Sequence, residues 1–150
     1  MPMDDIDKKI LNIIQKNFPL TAQPFQVIAE KAGVSEDEAL TRIAQMKEEG
    51  VIRRIGAVFD SRKLGFASTL CAARVPEETL QDFVAVVNAY PGVTHNYRRR
   101  HAYNVWFTFI APDEETLKTS LEEIRNRTGI SDILDLRVSR TFKIDASFEF

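Results

Sequence analysis

The chain has 150 residues, 44% apolar and 28% charged, with a net charge of −2, a composition that excludes disordered and fibrous classes. No apolar run approaches the roughly 20 residues needed to span a bilayer. The opening Met-Pro-Met-Asp-Asp does not read as a secretory signal, and the single Cys71 excludes an internal disulfide or a multi-cysteine metal site, so a cytoplasmic location is the expectation.

The first helix starts at Asp4 or Asp5 as N-cap, carries Ile6, Ile10, Ile13 and Ile14 on one face, and stops at Phe18-Pro19. A second helix is predicted from Phe25 to Ala32, closed by Gly33. Ser35 caps a third, with Glu38 at the capping-box position and Leu40, Ile43, Ala44 and Met46 continuing it to Gly50. Val51 to Phe59 reads as extended, which makes residues 1–60 a winged helix-turn-helix.

After the polar connection Asp60 to Gly65 the pattern changes. A strand (Phe66 to Val75) is followed by a helix (Glu77 to Ala89) with Leu80, Phe83, Val84 and Val87 on one face. Pro91-Gly92 breaks it. A hairpin follows, Val93 to Arg99 and Tyr103 to Ile110, then a helix from about Asp113 to Arg127 and a strand from Ile133 to Phe142. An alternating tail, Phe142 to Phe150, ends the chain. Residues 61–150 thus form a ferredoxin-like βαββαβ domain, and the fold class is α+β.

A helix-turn-helix implies DNA, but the charge argues otherwise. Residues 1–60 hold eight Lys/Arg against ten Asp/Glu, while residues 61–150 hold twelve of each. The presumed recognition helix opens Ser35-Glu-Asp-Glu38 and offers only Arg42 and Lys47 as cations. Carboxylates in that first turn suit the helix dipole but repel phosphates.

The hairpin is where unusual side chains collect. It holds both histidines, the only tryptophan, two of three tyrosines and Arg98-Arg99-Arg100. Strand alternation puts Val93, His95, Tyr97 and Arg99 on one face, and Tyr103, Val105, Phe107 and Phe109 together on the return strand. As ordinary structure, an arginine run guards a sheet edge, a histidine is a hydrogen-bonded residue and Trp106 an interface anchor. Their convergence on one hairpin favours a ligand site.

Asp5-Ile-Asp-Lys-Lys-Ile-Leu11, Gly33-Val-Ser35 and Glu49-Gly-Val-Ile52 resemble the Lrp/AsnC regulators. Gly50-Val-Ile-Arg-Arg-Ile-Gly56, Leu64-Gly-Phe66, Pro91-Gly-Val-Thr-His-Asn-Tyr97, Tyr103-Asn-Val-Trp-Phe107 and Phe142-Lys-Ile144 narrow this to a resemblance to the siroheme (sirohaem) decarboxylases. These are Lrp/AsnC-like proteins of the alternative heme biosynthesis pathway. The resemblance implies a carboxy-lyase that removes carbon dioxide from two acetate side chains of siroheme, giving didecarboxysiroheme. It implies no cofactor beyond the iron tetrapyrrole itself. It also implies a dimer, with a paralogous second subunit or with itself.

On that reading His95 ligates the siroheme iron and His101 acts as acid or base, with Tyr97 the third titratable candidate. Arg53, Arg54, Arg98, Arg99 and Arg100 pair with the substrate's carboxylates, with Arg137, Arg140 and Lys143 weaker candidates. Tyr103, Trp106 and Phe107 join Tyr97 in lining a flat pocket. The alternatives are an Lrp/AsnC-type DNA-binding regulator sensing heme or another tetrapyrrole, and one sensing an amino acid.

Overall fold

A computed structural model describes residues 3–144 and 147–150. They divide into two compact units, one comprising the chain up to Ala57 together with the tail from Lys143, the other Val58–Phe142.

In the first unit, α1 (Asp5–Lys16) is held by a capping box. The Asp4 carboxylate accepts the Ile6 and Asp7 N–H groups, and the Asp7 carboxylate accepts the Asp4 N–H. α2 (Pro24–Ala32) has proline in its first turn, where no N–H is needed, and ends at Gly33 with φ +83°. α3 (Glu36–Glu48) is capped by the Ser35 hydroxyl, which accepts the Glu38 N–H at 3.2 Å. Its buried residues are Ala39, Ile43 and Met46. The expected face included Leu40 and Ala44, but both are exposed, because spacings of four and three from Ala39 fix the inward stripe one residue earlier. These side chains close on Ile10, Leu11, Ile28, Ala29, Ala32 and Ile52 as one core. Residues 51–59 include no strand, so the wing is a length of chain without a ladder. In the tail, the Gln15 side chain accepts the Phe148 N–H at 2.9 Å and donates to the Phe148 carbonyl at 2.6 Å. The expected alternation of Phe142 to Phe150 falls partly on residues 145 and 146, outside the described residues.

In the second unit, β1 (Ala67–Ala73), α4 (Leu80–Asn88, entered by a 3-10 turn, Glu77–Thr79), β2 (Val93–Arg98), β3 (Val105–Ala111), α5 (Glu114–Thr128) and β4 (Ile133–Leu136) follow in order. The sheet order is β2-β3-β1-β4 with every pairing antiparallel, the ferredoxin-like arrangement. One sheet face packs on both helices. Its core includes Cys71, Phe83, Val87, Val105, Phe107, Phe109, Leu117, Leu121 and Ile124. β4 is shorter than expected. Its ladder stops at Leu136, where Arg137 pairs with Asp135 at 2.7 Å and with Glu114 at 2.6 Å. Thr69 donates to the same Asp135 carboxylate, so β4, β1 and the start of α5 share one polar clasp.

Among the described residues, no helix is long and apolar enough to cross a membrane.

Candidate active site on the open face of the sheet

The hairpin's side chains are sorted by a single irregularity. β2 and β3 pair Val93 with Phe109, but then His95 with Thr108, Asn96 with Phe107 and Tyr97 with Trp106. The register shift between Val93 and His95 makes Thr94 a bulge residue, and a bulge reverses the facing of the strand beyond it. Val93 therefore faces the helices, whereas His95 and Tyr97 face away from them. Simple alternation placed all three together, which the bulge corrects.

The open face carries His95, Tyr97, Trp106 and Thr108 at its β2–β3 end, and Leu70, Leu134 and Leu136 at its β1–β4 end. His95 and Tyr97 stack, centroids 5.9 Å apart, and Tyr97 is 52% exposed. The Arg99 guanidinium lies 5.0 Å above the Trp106 ring, while the indole N–H donates to the Tyr103 carbonyl at 2.8 Å. A flat, partly apolar platform with a cation at its rim results.

Phe107 is on the other side. It is fully buried, edge-to-face with Phe83 at 6.3 Å, and so packs the core instead of lining a pocket. Successive residues of β3 point to opposite faces, so Trp106 and Phe107 cannot share a ligand face. Arg98 is likewise opposite Val105, and its guanidinium donates to Glu77 at 2.7 Å.

The tip of the hairpin, residues 99–104, is closed by the Arg99 N–H donating to the Asn104 carbonyl at 2.8 Å. Arg100 and His101 are exposed here. His101 Nδ1 accepts the Tyr103 N–H at 3.1 Å, and the two rings stack at 6.3 Å. An occupied Nδ1 acceptor leaves the neutral ring with its proton on Nε2, a donor. For His95, Nδ1 lies 3.1 Å from the Thr94 hydroxyl, which can donate or accept. With Nδ1 as the donor, Nε2 is lone-paired and free to ligate a metal. In that tautomer the outward nitrogen of His95 offers a lone pair where that of His101 offers a proton.

Arg53 and Arg54 belong to the first unit and are exposed, with an Arg54 guanidinium N–H donating to the Ala57 carbonyl at 3.4 Å. Lys143 belongs to that unit too. Arg137 is engaged by Asp135 and Glu114, and Arg140 stacks on Phe142 at 5.0 Å. Of the candidate arginines, Arg99 is the one resting on the aromatic platform. Burial pushes the Cys71 thiol up to about 12, which removes it as a nucleophile.

A cavity of about 480 Å³ lies in the first unit, lined by Asp4, Asp7, Asp37, Glu38, Arg42 and Glu49 among others. Arg42 pairs with Asp4 at 2.8 Å and with Asp7 and Glu38 at 2.9 Å. These partners, Asp7 foremost, raise its guanidinium pKa. A carboxylate-lined cavity of this kind repels a polyanionic ligand, so the open face is the better candidate.

Residues 63–143 match the family described as "AsnC-like ligand binding domain", and residues 7–53 match "Siroheme decarboxylase NirDL-like HTH domain". The chain is 53% identical, over 98% of its own length and 89% of the relative's, to the siroheme decarboxylase alpha subunit of Oleidesulfovibrio alaskensis. It belongs to the siroheme decarboxylase family. The crystal structure of the siroheme decarboxylase NirDL in co-complex with an iron-uroporphyrin III analogue is 38% identical over 93% of this chain, with a TM-score of 0.71. This chain spans 47% of that one, about half its length. E. coli AsnC, with a TM-score of 0.81 but 18% identity, shares the fold alone. The siroheme decarboxylase family thus sets a decarboxylating enzyme on an Lrp/AsnC-like fold.

Three features of the site were not legible as such in the sequence. The Asn104 side chain accepts the Val75 N–H at 2.9 Å and donates to the Val75 carbonyl at 2.8 Å, mimicking a strand. Tyr103 donates its hydroxyl to Asp132 at 2.9 Å, and Arg74 both pairs with Asp132 at 3.2 Å and lies 5.2 Å from the Tyr103 ring. Gly92 sits so close to β3 that an added Cβ would fall 2.0 Å from the Ile110 carbonyl. The glycine, just after a helix, and the asparagine, within Tyr103-Asn-Val-Trp-Phe107, left traces in the sequence. Asp132 left none, because its partner is 29 residues away.

Proposed function

We propose that this chain is a subunit of a siroheme decarboxylase, converting siroheme to didecarboxysiroheme by loss of carbon dioxide from two acetate side chains. The observation that carries the reading is identity along nearly the whole chain to enzymes named for this reaction. The open face supplies a physical means.

In the proposal the macrocycle lies against Tyr97 and Trp106, and His95 Nε2 ligates the iron. One histidine suffices, since the macrocycle supplies the four equatorial nitrogens. Arg99, and Arg100 beside it, pair with propionates in bidentate geometry. A carboxylate that must leave as carbon dioxide is better left away from those cations.

Each decarboxylation then needs only a proton. Protonation of the ring carbon forms a C–H bond and makes the macrocycle an electron acceptor. The bond from the methylene to the carboxylate breaks, carbon dioxide departs, and its electron pair enters the ring system as an exocyclic double bond. Protonation of that methylene and loss of the ring proton leave a methyl group, so one proton is consumed per carbon dioxide and no redox equivalent. His101 is the proposed donor, with Tyr97 and His95 the other titratable groups of the site. The neutral ring presents Nε2–H; to act as an acid it must gain a second proton at Nδ1, which displaces the Tyr103 amide.

The leucines at the β1–β4 end form an apolar patch suited to a second chain, a paralogous subunit or another copy. DNA is an unsuitable partner, since Arg42 is engaged by three carboxylates and the first turn of α3 is acidic. The test is anaerobic incubation of siroheme with the chain, alone and co-expressed with a paralogous chain, followed by mass spectrometry. Loss of carbon dioxide twice is expected. Intact siroheme from every combination, together with a low-salt gel shift on genomic DNA, would return the protein to the regulators.

A further inference from the structure

The hairpin tip is anchored to the end of β1 and to the residue before β4. Asp132 is the centre of that anchorage. Its backbone carbonyl accepts the Arg74 N–H at 3.0 Å, extending the β1–β4 ladder by one rung beyond Ala73 and Ile133. Its carboxylate accepts the Tyr103 hydroxyl at 2.9 Å through one oxygen and pairs with Arg74 through the other. The Arg74 guanidinium also approaches the Tyr103 ring. Tyr103, held at its far end by Asp132, offers two contacts to His101: its ring stacks on the imidazole, with planes 22° apart, and its N–H occupies Nδ1. The His101 N–H donates to the Arg99 carbonyl, which fixes the backbone but leaves the ring to Tyr103.

We propose that Asp132 is a positioning residue for His101, acting through Tyr103. It sets the ring's orientation through the stack and, in the neutral ring, the Nε2–H tautomer by keeping Tyr103 and its N–H in place. A side chain on an exposed loop tip otherwise samples several rotamers and both tautomers. A phenol anchored at its hydroxyl restricts both, as carboxylates behind metal-bound histidines do. The consequence for turnover rests on the proposed role of His101 as proton donor, in whose doubly protonated form the stack on Tyr103 is the contact that remains; the positioning of the neutral ring does not.

The test separates these. The chain has two histidines, so long-range nitrogen–proton NMR of the full-length protein shows two ring systems, assigned with a His95→Gln variant. Wild-type His101 is expected to show one tautomer, with Nδ1 unprotonated. Tyr103→Phe and Asp132→Ala are expected to give averaged tautomer signals, while Asp132→Asn, which keeps an acceptor for the phenol but loses the Arg74 ion pair, retains the wild-type pattern. In the decarboxylation assay the first two variants are expected to lose about 10- to 100-fold in kcat with KM steady, the size that follows from misplacing a reacting group. If Tyr103→Phe and Asp132→Ala leave the His101 tautomer unchanged, the proposal is overturned. If the tautomer averages and kcat holds, Asp132 positions His101 as stated and it is His101's part in the chemistry that fails. Should Asp132→Ala not fold, Tyr103→Phe against Asp132→Asn makes the same distinction.

Discussion

Replacing Phe107 tests whether the hairpin's two faces are divided as described. Its ring is fully buried among Phe83, Val105, Phe109 and the helices, so truncation to alanine leaves a cavity that the core cannot collapse to fill. Phe→Ala at such a site costs about 3–5 kcal/mol. Of that, about 0.5–1.5 kcal/mol belongs to the edge-to-face pair with Phe83. Domain stabilities are about 5–15 kcal/mol, so the loss is a large fraction but need not unfold the protein. Trp106 is the sole tryptophan and the preceding residue on β3, so its fluorescence reports this unit alone during urea titration. With a urea slope of about 2 kcal/mol per molar, the midpoint should fall by roughly 2 M. Phe107→Leu, closer in volume, should lose less than half as much. If Phe107→Ala kept the wild-type midpoint but abolished binding of an iron tetrapyrrole, Phe107 would be lining the ligand site and the assignment of faces would be wrong.

Other consequences can be checked alongside. Gly92→Ala puts a Cβ where the Ile110 carbonyl oxygen lies 2.0 Å away, so the backbone here must shift, which strains the bond from the Ile110 N–H to the Gly92 carbonyl. A cost of about 1–3 kcal/mol and weaker tetrapyrrole binding are expected by urea and absorption titrations, and unchanged values would refute the close approach. Burial works to raise the Asp135 carboxyl, but bonds from Arg137 and Thr69 outweigh it and hold it below its ordinary range. Its stabilisation is therefore present above about pH 4 and lost as pH falls through the lowered value; Asp135→Asn should flatten the acid limb of a pH–stability curve. Arg42→Met should lower the melting temperature of the helical unit near neutral pH. Because hydrogen bonds from the Asp7 amide and then from Arg42 hold the Asp4 carboxyl low, the deficit should shrink on acidification, and a deficit independent of pH would count against the ion cluster.

The order of elements was legible from periodicity and punctuation. Ser35, Gly33, Pro91-Gly92 and the stripe Leu80-Phe83-Val87 mark local preferences that the tertiary structure obeys. The acidity of α3 was likewise a matter of counting. The hairpin as the site of interest was legible too, because residue types that gain little from burial converge there.

The facing of each hairpin residue was decided by tertiary structure. A bulge at Thr94 reverses the alternation, and one inserted residue leaves no signature in a sequence whose strand periodicity is otherwise intact. Phe107 and Trp106 are neighbours of similar character, and only the packing of β3 against Phe83 determines which is buried. The tautomer of His101 depends on one backbone amide, and the hold on Tyr103 depends on an aspartate just before β4. Local sequence fixes elements through short-range sterics and hydrogen bonding, whereas facing, tautomer and support come from contacts that form only once the sheet closes.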